Sequence, residues 1–125
     1  MKIYLTDREA DIMQVLWEQG PSLVADVRER LSDKLAYTTV LTVLRTLEGK
    51  GYVGHEEAGR GHRYFAEVKQ RAARKNAVQH LADKLFNGSA ELLFSHLVSE
   101  QKLTDEQLRR MRQLLAERSG KQGPR

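Results

Sequence analysis

The segment from Tyr37 to Gly51 constrains the fold of this chain more than any other stretch of its sequence. At 100° per residue it predicts a helix whose apolar side chains gather on one side: Val40, Val43, Leu44 and Leu47. The opposite side carries short hydroxyls and one guanidinium: Thr38, Thr42 and Arg45, flanked by Thr39 and Thr46. Such a face can approach a partner closely and hydrogen-bond to it, and the major groove of DNA is the leading candidate.

Two shorter helices are predicted upstream of this segment. The sequence from Thr6 to Glu9 is a capping box that starts the first helix, and Gly20-Pro21 ends it. The side chains of this helix that we expect in the core are Ile12, Met13, Leu16 and Trp17. Ser22 is expected to cap the second helix. Three short helices at this spacing predict a helix-turn-helix arrangement.

Two strands follow, at 52–57 and 62–66, and a glycine-containing turn joins them. A helix-turn-helix followed by a hairpin is a winged helix, which we assign to residues 1–67. Basic side chains in its turns, at its helix end and in its second strand are candidates for phosphate contacts: Lys34, Lys50, Arg60 and Arg63. Simpler explanations exist for two of them, because surface turns often carry arginine and Lys50 complements the helix dipole.

The rest of the chain predicts a mainly α protein, with three helices over residues 68–118 and a flexible polar tail over 119–125. These helices carry more apolar surface than they can easily bury alone, so we expect a dimer interface. Its candidate residues are Ala77, Leu81, Leu85, Leu92, Leu93, Phe94, Leu97, Val98, Leu103, Leu108, Met111, Leu114 and Leu115. The alternative is that the helices fold back on the winged helix.

Charge is distributed unevenly between the two parts of the chain. Residues 1–67 contain nine basic and eleven acidic residues, a net charge of −2, whereas residues 68–125 contain twelve and six, a net charge of +6. Bulk charge therefore does not mark the N-terminal part as a nucleic-acid binder, and the local placement of its charges has to do so.

Composition argues against several classes of function. The chain has no cysteine, which excludes disulfides and thiolate metal sites, and its four histidines lack metal-ligand spacing, so we predict neither metal nor cofactor. No nucleophile, base and orienting group occur together, and we predict no enzyme. No apolar run approaches the ~20 residues that cross a bilayer. Residues 1–7 are not typical of a signal peptide, so we expect a cytoplasmic protein without membrane insertion.

The order and spacing of its motifs resemble those of the penicillinase-repressor family of transcription factors (BlaI/MecI/CopY type). The resemblance extends from Leu5 to Glu117 and is carried by Leu5–Met13, Leu16-Trp17, Gly20, Tyr37–Val40, Thr42–Leu44, Leu47, Lys50–Val53, Gly59-Arg60, Arg63-Tyr64, Leu103–Glu106 and Leu108. It implies a homodimeric repressor, whose winged helix binds a palindromic operator in double-stranded DNA and whose C-terminal helices form the dimer.

The chain also departs from this family at three places. Leu41 occupies a position that is often basic in such repressors, so it could contact a thymine methyl group instead of a phosphate. Copper-responsive members end in a cysteine cluster, which is absent here. The β-lactam-responsive members are cut by a membrane sensor protease at an Asn-Phe bond. Aligned through Leu103-Thr104, that bond falls at His96-Leu97, and cleavage there is a hypothesis.

The sequence therefore predicts a repressor that contacts the bases of its DNA operator through Thr38, Thr39, Leu41, Thr42 and Arg45. Induction would require disruption of the dimer, either by proteolysis or by a small ligand. The alternative is a winged helix used only for protein–protein contacts, which the net charge of −2 in residues 1–67 favours.

Overall fold

The computed structural model describes residues 2–121, apart from the side chain of Lys121. In the described residues the elements follow the order α1 (Asp7–Gln19), β1 (Ser22–Leu23), α2 (Val24–Arg30), α3 (Tyr37–Gly49), β2 (Val53–Ala58), β3 (Gly61–Ala66), α4 (Gln70–Leu85), α5 (Ala90–Glu100) and α6 (Asp105–Lys121). The strands form one antiparallel sheet in the order β1-β3-β2. The first three helices and the β2–β3 hairpin confirm the predicted winged helix.

The ends of α1 and α3 follow from their sequences. At the start of α1, Thr6 Oγ1 accepts a hydrogen bond from the Glu9 backbone N–H at 3.2 Å, and Glu9 Oε1 accepts one from the Thr6 N–H at 2.8 Å. This confirms the capping box. After α3, the N–H of Tyr52 donates to the carbonyl of Leu47, which is possible because Gly51 adopts a φ of 82°. That reversal turns the chain directly into β2.

The core of the winged helix lies between the helices and the inner face of the hairpin. Its most completely buried side chains are Ile12, Met13, Leu16, Val27, Val40, Leu44, Leu47 and Tyr64. Trp17, expected in the core, is partly buried, and its indole N–H donates to the Val68 carbonyl at 2.9 Å. Because Val40, Leu44 and Leu47 point inward, the opposite side of α3 is directed away from the core.

The prediction that Ser22 caps α2 is wrong. Ser22 lies in β1, opposite Tyr64 of β3, and its hydroxyl donates to the Gly20 carbonyl at 2.8 Å. Leu23 precedes α2 instead, without a side-chain cap. The two-residue strand β1 satisfies backbone groups along the edge of β3, and such a short pairing has no periodicity to detect.

The first compact unit ends at Leu81 and the second begins at Ala82, so this division falls inside α4, and the functional boundary between residues 67 and 68 stays a prediction. The start of α4 belongs to the first unit because Ala73 joins its core and Asn76 Oδ1 accepts from the Ile3 N–H at 3.2 Å. Residues 119–121, expected in the tail, continue α6, and residues 122–125 lie outside the described residues.

The second unit contains the end of α4 with α5 and α6. Ser89 caps α5 by accepting from the Leu92 N–H, and Thr104 and Gln107 form a reciprocal capping box at the start of α6. Ala82 and Leu93 are buried within the chain. Many other apolar side chains of this unit are exposed.

Candidate nucleic-acid interface

The outward face of α3 is the candidate DNA-reading surface. Thr38, Thr42, Arg45 and Thr46 are exposed there, and Thr39 is partly buried. Leu41 is also partly buried and packs against the core cluster, so only part of its side chain remains for the contact with a thymine methyl that the sequence suggested. The face therefore presents mainly threonines, one turn apart, with a single arginine.

Two of these threonines already make hydrogen bonds inside the helix. The hydroxyl of Thr42 donates to the Thr38 carbonyl at 2.8 Å, and that of Thr46 donates to the Thr42 carbonyl at 3.0 Å. Bonds of this i to i−4 type are open to threonine in helices. They leave the methyl groups and the oxygen lone pairs as the parts of these exposed side chains that can face a partner.

Arg45 contacts the wing as well as solvent. Burial raises the pKa of the Tyr64 hydroxyl, and the nearby Glu48 carboxylate raises it further. The Arg45 guanidinium opposes this through its charge and a hydrogen bond to that hydroxyl. Tyr64 is almost completely buried in β3, so the charge of the exposed arginine acts on a group that is fixed in the wing.

A second contact joins the end of α3 to the wing. His55 Nδ1 of β2 lies 2.6 Å from Glu48 Oε2 of α3. The ring of His55 stacks on that of His62 in β3, with centroids 4.4 Å apart and planes inclined by 15°. In the hairpin register His55 pairs with Tyr64, so both histidines lie on the face of the hairpin that carries Tyr64. These contacts hold the wing against the helix.

The candidate phosphate contacts differ in what surrounds them. Arg60 is exposed at the hairpin tip, after Gly59, which has a φ of 62°. Lys34 is exposed in the turn before α3. Arg63 is partly buried, and its Nη1 lies 3.7 Å from Glu56 Oε1, a long ion pair that leaves the guanidinium largely available.

Lys50 has a structural partner, which changes its expected role. Its Nζ lies 2.7 Å and 2.9 Å from the two carboxylate oxygens of Glu9, and the side chain of Glu9 is only 5% exposed. Burial alone would raise the pKa of Glu9, but hydrogen bonds from Lys50 and Thr6 and the charge of Lys50 together lower it below its ordinary value. Lys50 therefore neutralises a buried carboxylate, and binding a phosphate would compete with that contact.

Tyr37 is a residue of this surface that the sequence reasoning did not assign. It opens α3 next to Thr38 and is 47% exposed. The sequence could have identified it, because Tyr37 stands at the N-terminal end of the predicted helix, which is the end that recognition helices direct at base edges. Arg28 has a supporting role, because its Nε donates to the Leu35 carbonyl at 2.7 Å and so fixes the turn between α2 and α3.

The candidate dimerisation residues divide by exposure. Leu93 is buried, and Leu103, Leu108 and Met111 are partly buried. The others are exposed in the single chain: Ala77, Leu81, Leu85, Leu92, Phe94, Leu97, Val98, Leu114 and Leu115. His96 and Leu97, the hypothetical cleavage site, lie exposed within α5.

Among residues 2–121, no three histidine or carboxylate side chains come together in a way that could hold a metal ion. No helix in the same range is long and apolar enough to cross a membrane.

Known proteins place these features in a family. Residues 5–117 match the penicillinase repressor family. The transcriptional regulator BlaI of Mycobacterium tuberculosis is 33% identical over 109 residues, which cover 71% of this chain and 79% of that protein. An uncharacterized 16.5 kDa protein of Latilactobacillus sakei is 26% identical over 113 residues, or 89% of this chain and 77% of the relative.

The fold has a wider relationship. A MarR family protein from Bacillus stearothermophilus superposes with a TM-score of 0.52 at 14% identity, covering 98% of this chain and 78% of that structure. At that identity the likeness concerns the fold alone, and it is consistent with the winged helix. The family is one of repressors, and its relative BlaI is a transcriptional regulator. This chain belongs to the penicillinase repressor family and is a DNA-binding transcription regulator.

Proposed function

We propose that this protein is a homodimeric repressor that blocks transcription by occupying a palindromic operator. The observation that carries the proposal is the outward face of α3, where Thr38, Thr42 and Arg45 are exposed opposite three fully buried residues of the same helix. In this assignment α3 reads bases in the major groove, and Lys34, Arg60 and Arg63 hold the phosphate backbone.

Self-association is supported by the second unit. Leu85 is 73% exposed and Leu114 is 64% exposed, which is unusual for leucines on helices that carry further exposed apolar residues. A second copy of the chain is the partner that would cover them. Two joined winged helices bind both half-sites of a palindrome, so each one raises the effective concentration of the other.

Release from the operator would follow from loss of the dimer. Cleavage at His96-Leu97 by a membrane sensor protease is one route. Both residues are exposed, but they lie inside α5, which would have to unwind locally to enter a protease. A small ligand that separates the second units is the other route. Incubation with the activated cognate sensor, followed by N-terminal sequencing of the products, distinguishes proteolysis from ligand binding, because only cleavage makes Leu97 a new N-terminus.

Salt dependence of DNA affinity tests the proposed function. We expect the logarithm of the affinity to fall linearly with the logarithm of salt concentration, with a slope of about −0.9 for each phosphate contacted. Arg45→Ala should relax preference at one operator position, by about 1–3 kcal/mol if the arginine is bidentate to guanine. Arg118→Ala, which removes an exposed arginine in α6, is the matched control and should leave base preference unchanged.

The competing function is a winged helix used only for protein contacts, favoured by the net charge of −2 in residues 1–67. A protein of that kind would not retard duplex DNA in a gel even at low salt.

The Arg45→Ala variant also tests the role of the arginine. If this substitution weakens binding to every DNA sequence equally, Arg45 contacts only a phosphate.

A further inference from the structure

We infer that Thr42 selects thymine through its methyl group, while its hydroxyl proton is donated within the helix and not to the DNA. The inference rests on the proposed function and specifies which bases the α3 face prefers.

The hydrogen bonds within α3 carry this argument. A threonine hydroxyl has one proton, and that of Thr42 is donated to the Thr38 carbonyl at 2.8 Å. Thr46 repeats the arrangement one turn later, with 3.0 Å to the Thr42 carbonyl. The proton can therefore be offered to a base only by giving up a short bond inside the helix.

The chemistry of the major groove then distinguishes the bases. Guanine displays only acceptors there, N7 and O6, so a hydroxyl whose proton is engaged gains nothing from it, and its lone pairs can accept only from the N–H groups of adenine and cytosine. Thymine displays a methyl group, against which the methyl of an exposed threonine can pack. Because Thr42 is exposed on the outward face, its methyl group is available for this contact.

The side chain of Arg45, next to Thr42, should prefer guanine. Arg45 follows Thr42 by three residues and so lies beside it on the helix. A guanidinium matches the acceptors of guanine. The pair would then require a thymine and a guanine close together in each half-site, with Thr42 responsible for the thymine.

Two substitutions separate the methyl group from the hydroxyl. Thr42→Val keeps a methyl group at the same place and removes the hydroxyl, whereas Thr42→Ser keeps the hydroxyl and removes the methyl group. The probe is the duplex that the wild-type protein enriches from a random pool, together with versions in which single thymines are replaced by deoxyuridine, which lacks only the methyl group. Circular dichroism confirms that both variants remain helical.

The expected result is that one deoxyuridine replacement weakens wild-type and Thr42→Val binding about fourfold per half-site, the equivalent of one buried methyl or methylene group. Thr42→Ser should bind the unmodified duplex more weakly by the same factor and should not respond to that replacement. Thr42→Val should bind the unmodified duplex within about twofold of wild type, because it loses no methyl contact.

Two results would overturn the inference while leaving the proposed function intact. One is weak binding by Thr42→Val with normal binding by Thr42→Ser, which would assign the reading to the hydroxyl. The other is that every deoxyuridine replacement changes the affinity of the wild-type protein and of both Thr42 variants by the same factor. If the wild-type protein binds no duplex at all, the proposed function fails and the inference fails with it.

Discussion

The polar side chains around α3 divide at the scale of single residues into those that hold the fold and those that face outward. Lys50 and Glu9 belong to the first group, because Lys50 reaches both oxygens of a carboxylate that is 5% exposed. Thr38 and Arg60 belong to the second group. Thr42 does both, since its hydroxyl bonds within the helix while the side chain remains exposed.

Replacing Lys50 tests this division. In Lys50→Met the carboxylate of Glu9 stays buried without its cationic partner, and we expect the free energy of unfolding to fall by about 1–3 kcal/mol. Urea denaturation measures this loss. Lys34→Met, which removes an exposed lysine, is the matched control and should change stability by less than about 0.5 kcal/mol.

DNA binding by the same two variants separates the two roles of lysine. The salt slope should lose about one unit in Lys34→Met and should be unchanged in Lys50→Met. A lowered slope with undiminished stability in Lys50→Met would show that Lys50 contacts phosphate, as the sequence first suggested.

Acid unfolding tests the lowered pKa of Glu9. Because the pKa is lower in the folded than in the unfolded state, Glu9 contributes stability above its unfolded pKa and loses it as the pH falls through the folded value. Glu9→Gln should therefore be less stable than wild type near neutral pH, and the difference should shrink as the solution becomes acidic. Urea midpoints at neutral and acidic pH give this difference. Glu29→Gln, at an exposed site, should show no such convergence.

The end of α3 is the decisive point at the scale of elements, because it joins the reading helix to the wing. Gly51 reverses the chain at a φ of 82°, and the Glu48–His55 contact of 2.6 Å then ties the helix to β2. The position of the wing relative to α3 depends on both features.

Gly49 and Gly51 lie two residues apart at this junction, and replacing each with alanine should change the stability of the protein in opposite directions. Gly51→Ala puts a Cβ at positive φ and should destabilise the protein by roughly 1–2 kcal/mol. Gly49→Ala should stabilise it by roughly 0.5–1 kcal/mol, because Gly49 is helical and its added Cβ would meet nothing within 4 Å. Thermal unfolding of both variants checks the two signs. Equal effects would mean that the reversal at Gly51 does not control the stability of this junction.

Elements were predictable from sequence where a local signal existed. The capping boxes at Thr6 and Thr104 and the two faces of α3 are confirmed, because caps and helical periodicity are written in adjacent residues. The pairing of Ser22 with β3 and the contact of Lys50 with Glu9 were not predicted. Both join residues more than 40 positions apart, and no local pattern encodes such a pairing.

The whole molecule is expected to act as a dimer. We predict that Leu85→Glu combined with Leu114→Glu makes the protein monomeric, because each substitution places a charge where an exposed leucine would be covered by a second copy. Sedimentation equilibrium measures the mass. The matched control exchanges two exposed polar residues of the same helices, Lys84→Glu and Gln113→Glu, and should remain dimeric.

Operator affinity should fall together with the dimer. A monomer contacts only one half-site, so the double leucine variant should lose most of its affinity, although its winged helix is unchanged. A monomeric wild-type protein, or a monomeric variant with full affinity, would contradict the proposed arrangement.

Selection of binding sites from random duplex DNA by the wild-type protein shows directly whether α3 of a two-fold dimer reads the DNA. We predict an inverted repeat whose half-sites are about one helical turn apart or a multiple of it, because each reading helix of a two-fold dimer enters the major groove on the same side of the duplex. Failure to enrich any sequence at low salt, or enrichment of a single site without symmetry, would contradict it.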